Sequence, residues 1–98
     1  MNILENIHYL SDKPTVAIIR KNEKIKYFAV ALGKDVVMHK HKTAVPATLV
    51  VLKGALDFRF VDRNYHLKTF DTFEIPVEEI HEVIGLENEN LFSILQEI

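Results

Sequence analysis

The strongest constraint on this chain is a regular succession of short β-rich runs separated by turn residues. Runs over residues 15–20, 25–32, 35–41, 47–53, 55–61, 65–70, 72–75, 81–86 and 91–98 are rich in Val, Ile, Phe, Tyr and Thr. Turn signals fall between them at Gly33, Pro46, Gly54, Asp62-Arg63-Asn64 and Glu87-Asn88-Glu89-Asn90. The polar tetrad Lys21-Asn22-Glu23-Lys24 joins the first two runs as a hairpin tip, which accounts for the basic cluster of Arg20, Lys21, Lys24 and Lys26. Strands at roughly 8–12-residue spacing without intervening helices predict an all-β sandwich or barrel. Ninety-eight residues suffice for one hydrophobic core, so residues 1–98 read as a single domain. About nine strands in so short a chain are best closed as a jelly-roll barrel, because closure limits exposed edges. One short amphipathic helix is expected over residues 2–10, where Ile3, Ile7 and Leu10 stand at helical spacing before Pro14.

Composition narrows the function classes. Apolar residues are 48% of the chain, charged residues 27%, and the net charge of −2 is scattered in both signs, leaving no electrostatic footprint for nucleic acid. No apolar run approaches a membrane span, and the first residues lack a basic leader followed by a long apolar stretch. The absence of cysteine excludes disulfides and thiolate ligands and agrees with a cytoplasmic location.

The chemistry-bearing signal is His39-Lys40-His41. On a regular strand side chains alternate, so His39 and His41 point to one face, about 7 Å apart, and Lys40 to the other. Two imidazoles so placed suit a metal ion if a third comes from elsewhere in the fold, and His81 follows the strand-ending Ile75-Pro76. A solvated basic patch around Lys40 and Lys42 is the competing account. His8 and His66 read as surface residues, and Phe58, Phe60, Phe70, Phe73 and Tyr27 as core.

These residues resemble the cupins, the RmlC-like jelly-roll cupin superfamily. The first cupin motif runs glycine, five residues, His-x-His, a short loop, glutamate, six residues, glycine; Gly33, His39, His41 and Gly54 match it. The second ends in proline, four residues, histidine, which Pro76 and His81 match, and Leu67, Asp71 and Ile75 fit the wording between the motifs. The resemblance covers about residues 33–85. The chain departs from the pattern at Ala47 for the glutamate, Phe70 and Glu78 for two glycines of the second motif, and Gly85 for its asparagine.

By resemblance, His39, His41 and His81 are expected to hold a divalent transition metal inside the barrel: zinc, iron, nickel, manganese or copper. The cysteine dioxygenase and acetylacetone dioxygenase branches are similar in using three histidines. Three neutral imidazoles leave coordination positions open for water or substrate. The expected function is a small metal-binding cupin with a three-histidine site, an oxygenase or isomerase on a small polar or anionic molecule. The alternative is a non-enzymatic cupin that binds or senses a small ligand, with or without metal. A third possibility is a scaffold stapled by its metal. Glu79 is a substitute ligand if its strand starts early, and otherwise a solvated loop carboxylate. With His39 and His41 inward, Val36, Met38, Val50 and Leu52 are expected to point outward as one apolar patch on neighbouring strands. Such a patch predicts a homodimer, as small cupins commonly form, unless the N-terminal segment packs over it.

Overall fold

The computed structural model describes all 98 residues. A single turn of 3-10 helix at Ile3–Glu5 is followed by nine strands: β1 (Thr15–Lys21), β2 (Ile25–Gly33), β3 (Val37–His41), β4 (Ala47–Lys53), β5 (Ala55–Arg59), β6 (Asn64–Lys68), β7 (Thr72–Ile75), β8 (His81–Gly85) and β9 (Glu89–Glu97). All nine expected strands form, with every end within two residues of its expected position. Two antiparallel sheets face each other, one ordered β1-β2-β9-β4-β7 and the other β3-β8-β5-β6. This is the expected jelly roll.

Alternation along the strands builds the core. Phe28, Val30 and Leu32 of β2, Leu49 and Val51 of β4, Leu56 and Phe58 of β5, Val83 of β8, and Phe92 and Ile94 of β9 fill the space between the sheets. One polar side chain is fully enclosed at the end of this core. Asn90 Oδ1 accepts from the amides of Ala55 and Glu87, while Nδ2 donates to the carbonyls of Leu32 and Glu87. It thereby ties β2, β5 and the β8–β9 turn together, with every donor and acceptor of its amide used. Gly54, at φ 77, turns β4 into β5 so closely against Asn90 and the Glu89 carbonyl that a Cβ has no room.

Three expectations are corrected. The helix over residues 2–10 is only the turn Ile3–Glu5, capped by Asn2, whose Oδ1 accepts from the Leu4 amide. A short isolated helix is marginal, and Ile3, Ile7 and Tyr9 instead lie as a strap on the outer face of the five-stranded sheet. There Ala17, Ala29 and Ala31 leave a shallow apolar surface beside Leu91. The outward patch does not form: Val36 is buried in the core, Met38 packs against it, and β3 and β4 belong to different sheets. Val50 and Leu52 do point outward on β4, beside the region the strap covers. Phe70, expected in the core, is 80% exposed in the β6–β7 turn at φ 72, its amide donating to the Val51 carbonyl.

Candidate functional site

The positions of the three histidines follow from one irregularity in β3. Met38 pairs with Val83, but the next pair is His41 with His81, so β3 carries one residue more than β8 between these pairs. This β-bulge at His39 and Lys40 reverses the alternation. Val36 and Met38 face the core, and after the bulge His41 turns to the same side, where its ring meets that of His81 at 4.4 Å between centroids in an edge-to-face arrangement. His39 and His41 are both exposed, and no ring contact or hydrogen bond joins the His39 imidazole to the other two. The structure thus assembles two of the three histidines.

The pair sits at the end of the barrel where the β5–β6 and β7–β8 loops meet. His81 is buried, stacked on Phe58 at 4.8 Å and edge-on to Phe60 at 6.1 Å. Phe73 and Tyr65 complete this aromatic lining, Phe73 packing on Phe58 and Tyr65 on Phe60. Arg63 lies over the Phe60 ring at 4.1 Å and grips Glu79 with both terminal nitrogens, at 2.6 and 3.0 Å. Arg63 and Glu79 therefore latch the two loops across the aromatic cluster, and the hydrogen bond from Arg63 holds the Glu79 carboxyl below its ordinary range.

Both imidazoles are oriented by backbone. His41 Nδ1 lies 2.7 Å from the His39 carbonyl and His81 Nδ1 lies 3.0 Å from the Glu79 carbonyl. A carbonyl only accepts, so each Nδ1 carries the proton and each Nε2 of a neutral ring presents a lone pair. Burial pushes His81 below the ordinary histidine value; the Glu79 carbonyl opposes this, and nearby His41 adds to it. The mouth of the barrel accordingly offers two neighbouring hydrogen-bond acceptors held in place.

A metal centre needs more. Ala47 stands buried at the inward position where the resemblance places a glutamate, and it brings no oxygen donor. The Glu79 carboxylate is engaged by Arg63. No group of three or more His, Asp or Glu side chains is arranged to hold a metal ion. As folded, the residues do not fit the three-histidine metal centre.

A cleft of about 230 Å³ opens beside the pair, and His81 is among its lining residues. Phe60, Val61 and Ile80 form its apolar side, and Lys40, Glu82 and Arg59 its charged side. It is smaller than the pockets of roughly 300–1,000 Å³ that take drug-sized ligands. Of these residues the sequence marks His81 as a candidate ligand, Lys40 as part of a basic patch and Phe60 as core. Their meeting with Arg59, Val61, Ile80 and Glu82 leaves no local signal, because the cleft is gathered from the ends of three strands. Val61 in the β5–β6 loop is 92% exposed, and Ile80 is 49% exposed. His8 and His66 are exposed, as expected.

No protein-family model matches the chain, and comparison with curated proteins gives no match. Solved structures do match. A cupin superfamily protein from Desulfitobacterium hafniense superposes with a TM-score of 0.87 at 12% identity, covering 100% of this chain and 89% of that one. A cupin-2 domain protein from Shewanella frigidimarina gives 0.78 at 17% identity, covering 100% and 94%. KdgF from Halomonas gives 0.73 at 16% identity, covering 87% and 81%. At such identities the likeness is one of fold.

Proposed function

We propose that this chain, which carries the cupin fold, is a small-ligand-binding domain whose site is the cleft beside His81 at the barrel mouth. The observation that supports this most is a cleft of about 230 Å³ at that end of the barrel, lined by His81 together with Lys40, Arg59 and Glu82. The fold alone chooses no activity, since one fold hosts many chemistries. A screen of small polar metabolites by amide NMR tests the reading. Binding should shift resonances of residues 40, 59–61 and 80–82, and Lys40→Ala should weaken it by about tenfold, the loss of one hydrogen bond to a charged group. Hits whose shifts all lie elsewhere would refute it.

A second reading is favoured by the two Nδ1–carbonyl hydrogen bonds, the orientation that metal-ligating imidazoles adopt. In that reading His39, His41 and His81 would together hold zinc, iron, nickel, manganese or copper. The metal would supply Lewis-acid or redox chemistry for an oxygenase or isomerase acting on a small polar or anionic molecule. Metal analysis of protein purified without an affinity tag tests it: one ion per chain, lost in His41→Ala, supports the metal centre. An unchanged stoichiometry in that variant rejects the ligand set. We also propose a homodimer through the outer face of the five-stranded sheet, where Val50, Leu52 and Leu95 point outward from β4 and β9.

A further inference from the structure

Three charged side chains border the cleft, and none of them neutralises another. Arg59 of β5 and Glu82 of β8 are cross-strand partners, and the β3 bulge sets His39 and Lys40 opposite Glu82 on its other side. Lys40, Glu82 and Arg59 thus form a row across three strands whose neighbours lie about 4.8 Å apart. In such a row a cation beside each flank of a carboxylate would ordinarily close into an ion pair. The five ion pairs of the structure include neither Lys40 with Glu82 nor Arg59 with Glu82. Arg59 instead gives its Nε to Asp57 Oδ2 at 2.6 Å, which leaves its two terminal nitrogens without a partner. Lys40 and Glu82 make no hydrogen bond or ion pair, and both line the cleft.

The charge count decides the ligand class. Arg59 and Asp57 cancel, and so do Lys40 and Glu82, so the cleft is neutral overall yet carries separated charges of both signs. A simple anion gains from Lys40 and is repelled by Glu82; a simple cation meets the reverse. Only a ligand with both charges satisfies both groups. The remaining wall is apolar, with Val61 and Ile80 open to solvent and Phe60 buried behind them, which calls for a short aliphatic group. A cleft of about 230 Å³ holds the equivalent of about eight waters at ~30 Å³ each, so the ligand is small.

We infer that the cleft takes a small zwitterion, an α-amino acid with a short aliphatic side chain. Its carboxylate meets Lys40 and the free edge of Arg59, its ammonium meets Glu82, and its side chain lies on Phe60, Val61 and Ile80. This rests on the reading of the cleft beside His81 as a ligand site and gives that site a substrate class.

L-leucine is the probe, compared with 4-methylpentanoate, which lacks the ammonium, and isoamylamine, which lacks the carboxylate. In amide NMR titrations at millimolar concentration, L-leucine should shift Lys40, Val61, Ile80 and Glu82. Each half-ligand should bind about tenfold more weakly. Glu82→Gln should weaken L-leucine by about tenfold and leave 4-methylpentanoate no weaker. Lys40→Met should weaken L-leucine and 4-methylpentanoate but not isoamylamine. Neither side chain makes a hydrogen bond or ion pair in the structure, so both variants should fold. Equal binding of L-leucine and 4-methylpentanoate, or L-leucine binding indifferent to Glu82→Gln, overturns the zwitterion assignment while leaving the mouth a ligand site. So does failure of L-leucine to shift these amides when another small metabolite does. If no metabolite of the screen shifts them, the ligand-site reading falls, and the zwitterion assignment with it.

Discussion

Phe70 stands in the β6–β7 turn at φ 72, a left-handed backbone that costs a non-glycine residue about 1–2 kcal/mol. Glycine escapes that cost, but its freer unfolded chain gives back about 0.4–1 kcal/mol relative to alanine. Phe70→Gly and Phe70→Ala lose the same side-chain contacts, and these are few for a residue 80% exposed, so they cancel in the comparison. Mid-range values leave the glycine variant ahead by about 0.8 kcal/mol. At an ordinary strand position the order is reversed by about 0.5–1 kcal/mol. For a domain of this size the glycine variant should melt about 3–6 °C above the alanine variant. Thermal unfolding followed by circular dichroism reads this directly, with urea midpoints at unchanged m-value as a check. A Phe70→Gly protein melting at or below Phe70→Ala would refute the reasoning. The same comparison at Glu78, φ 64, should give the same sign, since either replacement removes its exposed pair with Lys42.

Asn90→Ala removes four hydrogen bonds from a fully buried position and should destabilise the fold by about 2–4 kcal/mol, read as a lower urea midpoint. Burial keeps His81 neutral below the pH at which an unfolded histidine protonates, near 6.5. The unfolded chain then binds the extra proton, so stability should fall as pH drops below about 6.5, and His81→Phe should flatten that part of the urea-midpoint profile. An equally steep profile in the variant would assign the effect to other groups. For the proposed homodimer, sedimentation of the parent as a dimer and of Val50→Lys as a folded monomer is expected, because a charge buried in the interface is costly. A monomeric parent at high micromolar concentration would remove the dimer.

The strands were legible because apolar alternation and turn residues are local properties, and they located every element of both sheets. The site was legible only in part. Equal spacing of His39 and His41 implies a shared face on a regular strand, but a bulge inserts one residue without any mark in composition. The parity of everything after Met38 changes with it, which separates His39 from His41 and puts Val36 and Met38 in the core. The spacing of Ile3, Ile7 and Leu10 has two physical solutions, a helix or a strap anchored by its apolar residues, and the shallow alanine face of β1 and β2 selects the strap. Phe70 and Glu78 stand where the cupin motif has glycine, and both keep a left-handed backbone. The resemblance therefore located those turns even though the residues differ. Partners sixteen or more residues apart, Arg63 with Glu79 and Asn90 with Leu32 and Ala55, follow from topology and leave no local trace.

The account rests on two imidazoles at the barrel mouth, fixed by their Nδ1 protons, with His39 standing apart. Long-range proton–nitrogen NMR of the histidine rings, recorded with and without a ligand found by the metabolite screen, tests this most directly. The account predicts that at neutral pH His81 shows the Nδ1–H tautomer, that the ring resonances of His81 move on ligand addition, and that those of His39 do not. An Nε2–H tautomer at His81, or ligand-induced shifts at His39 in place of His81, would contradict it.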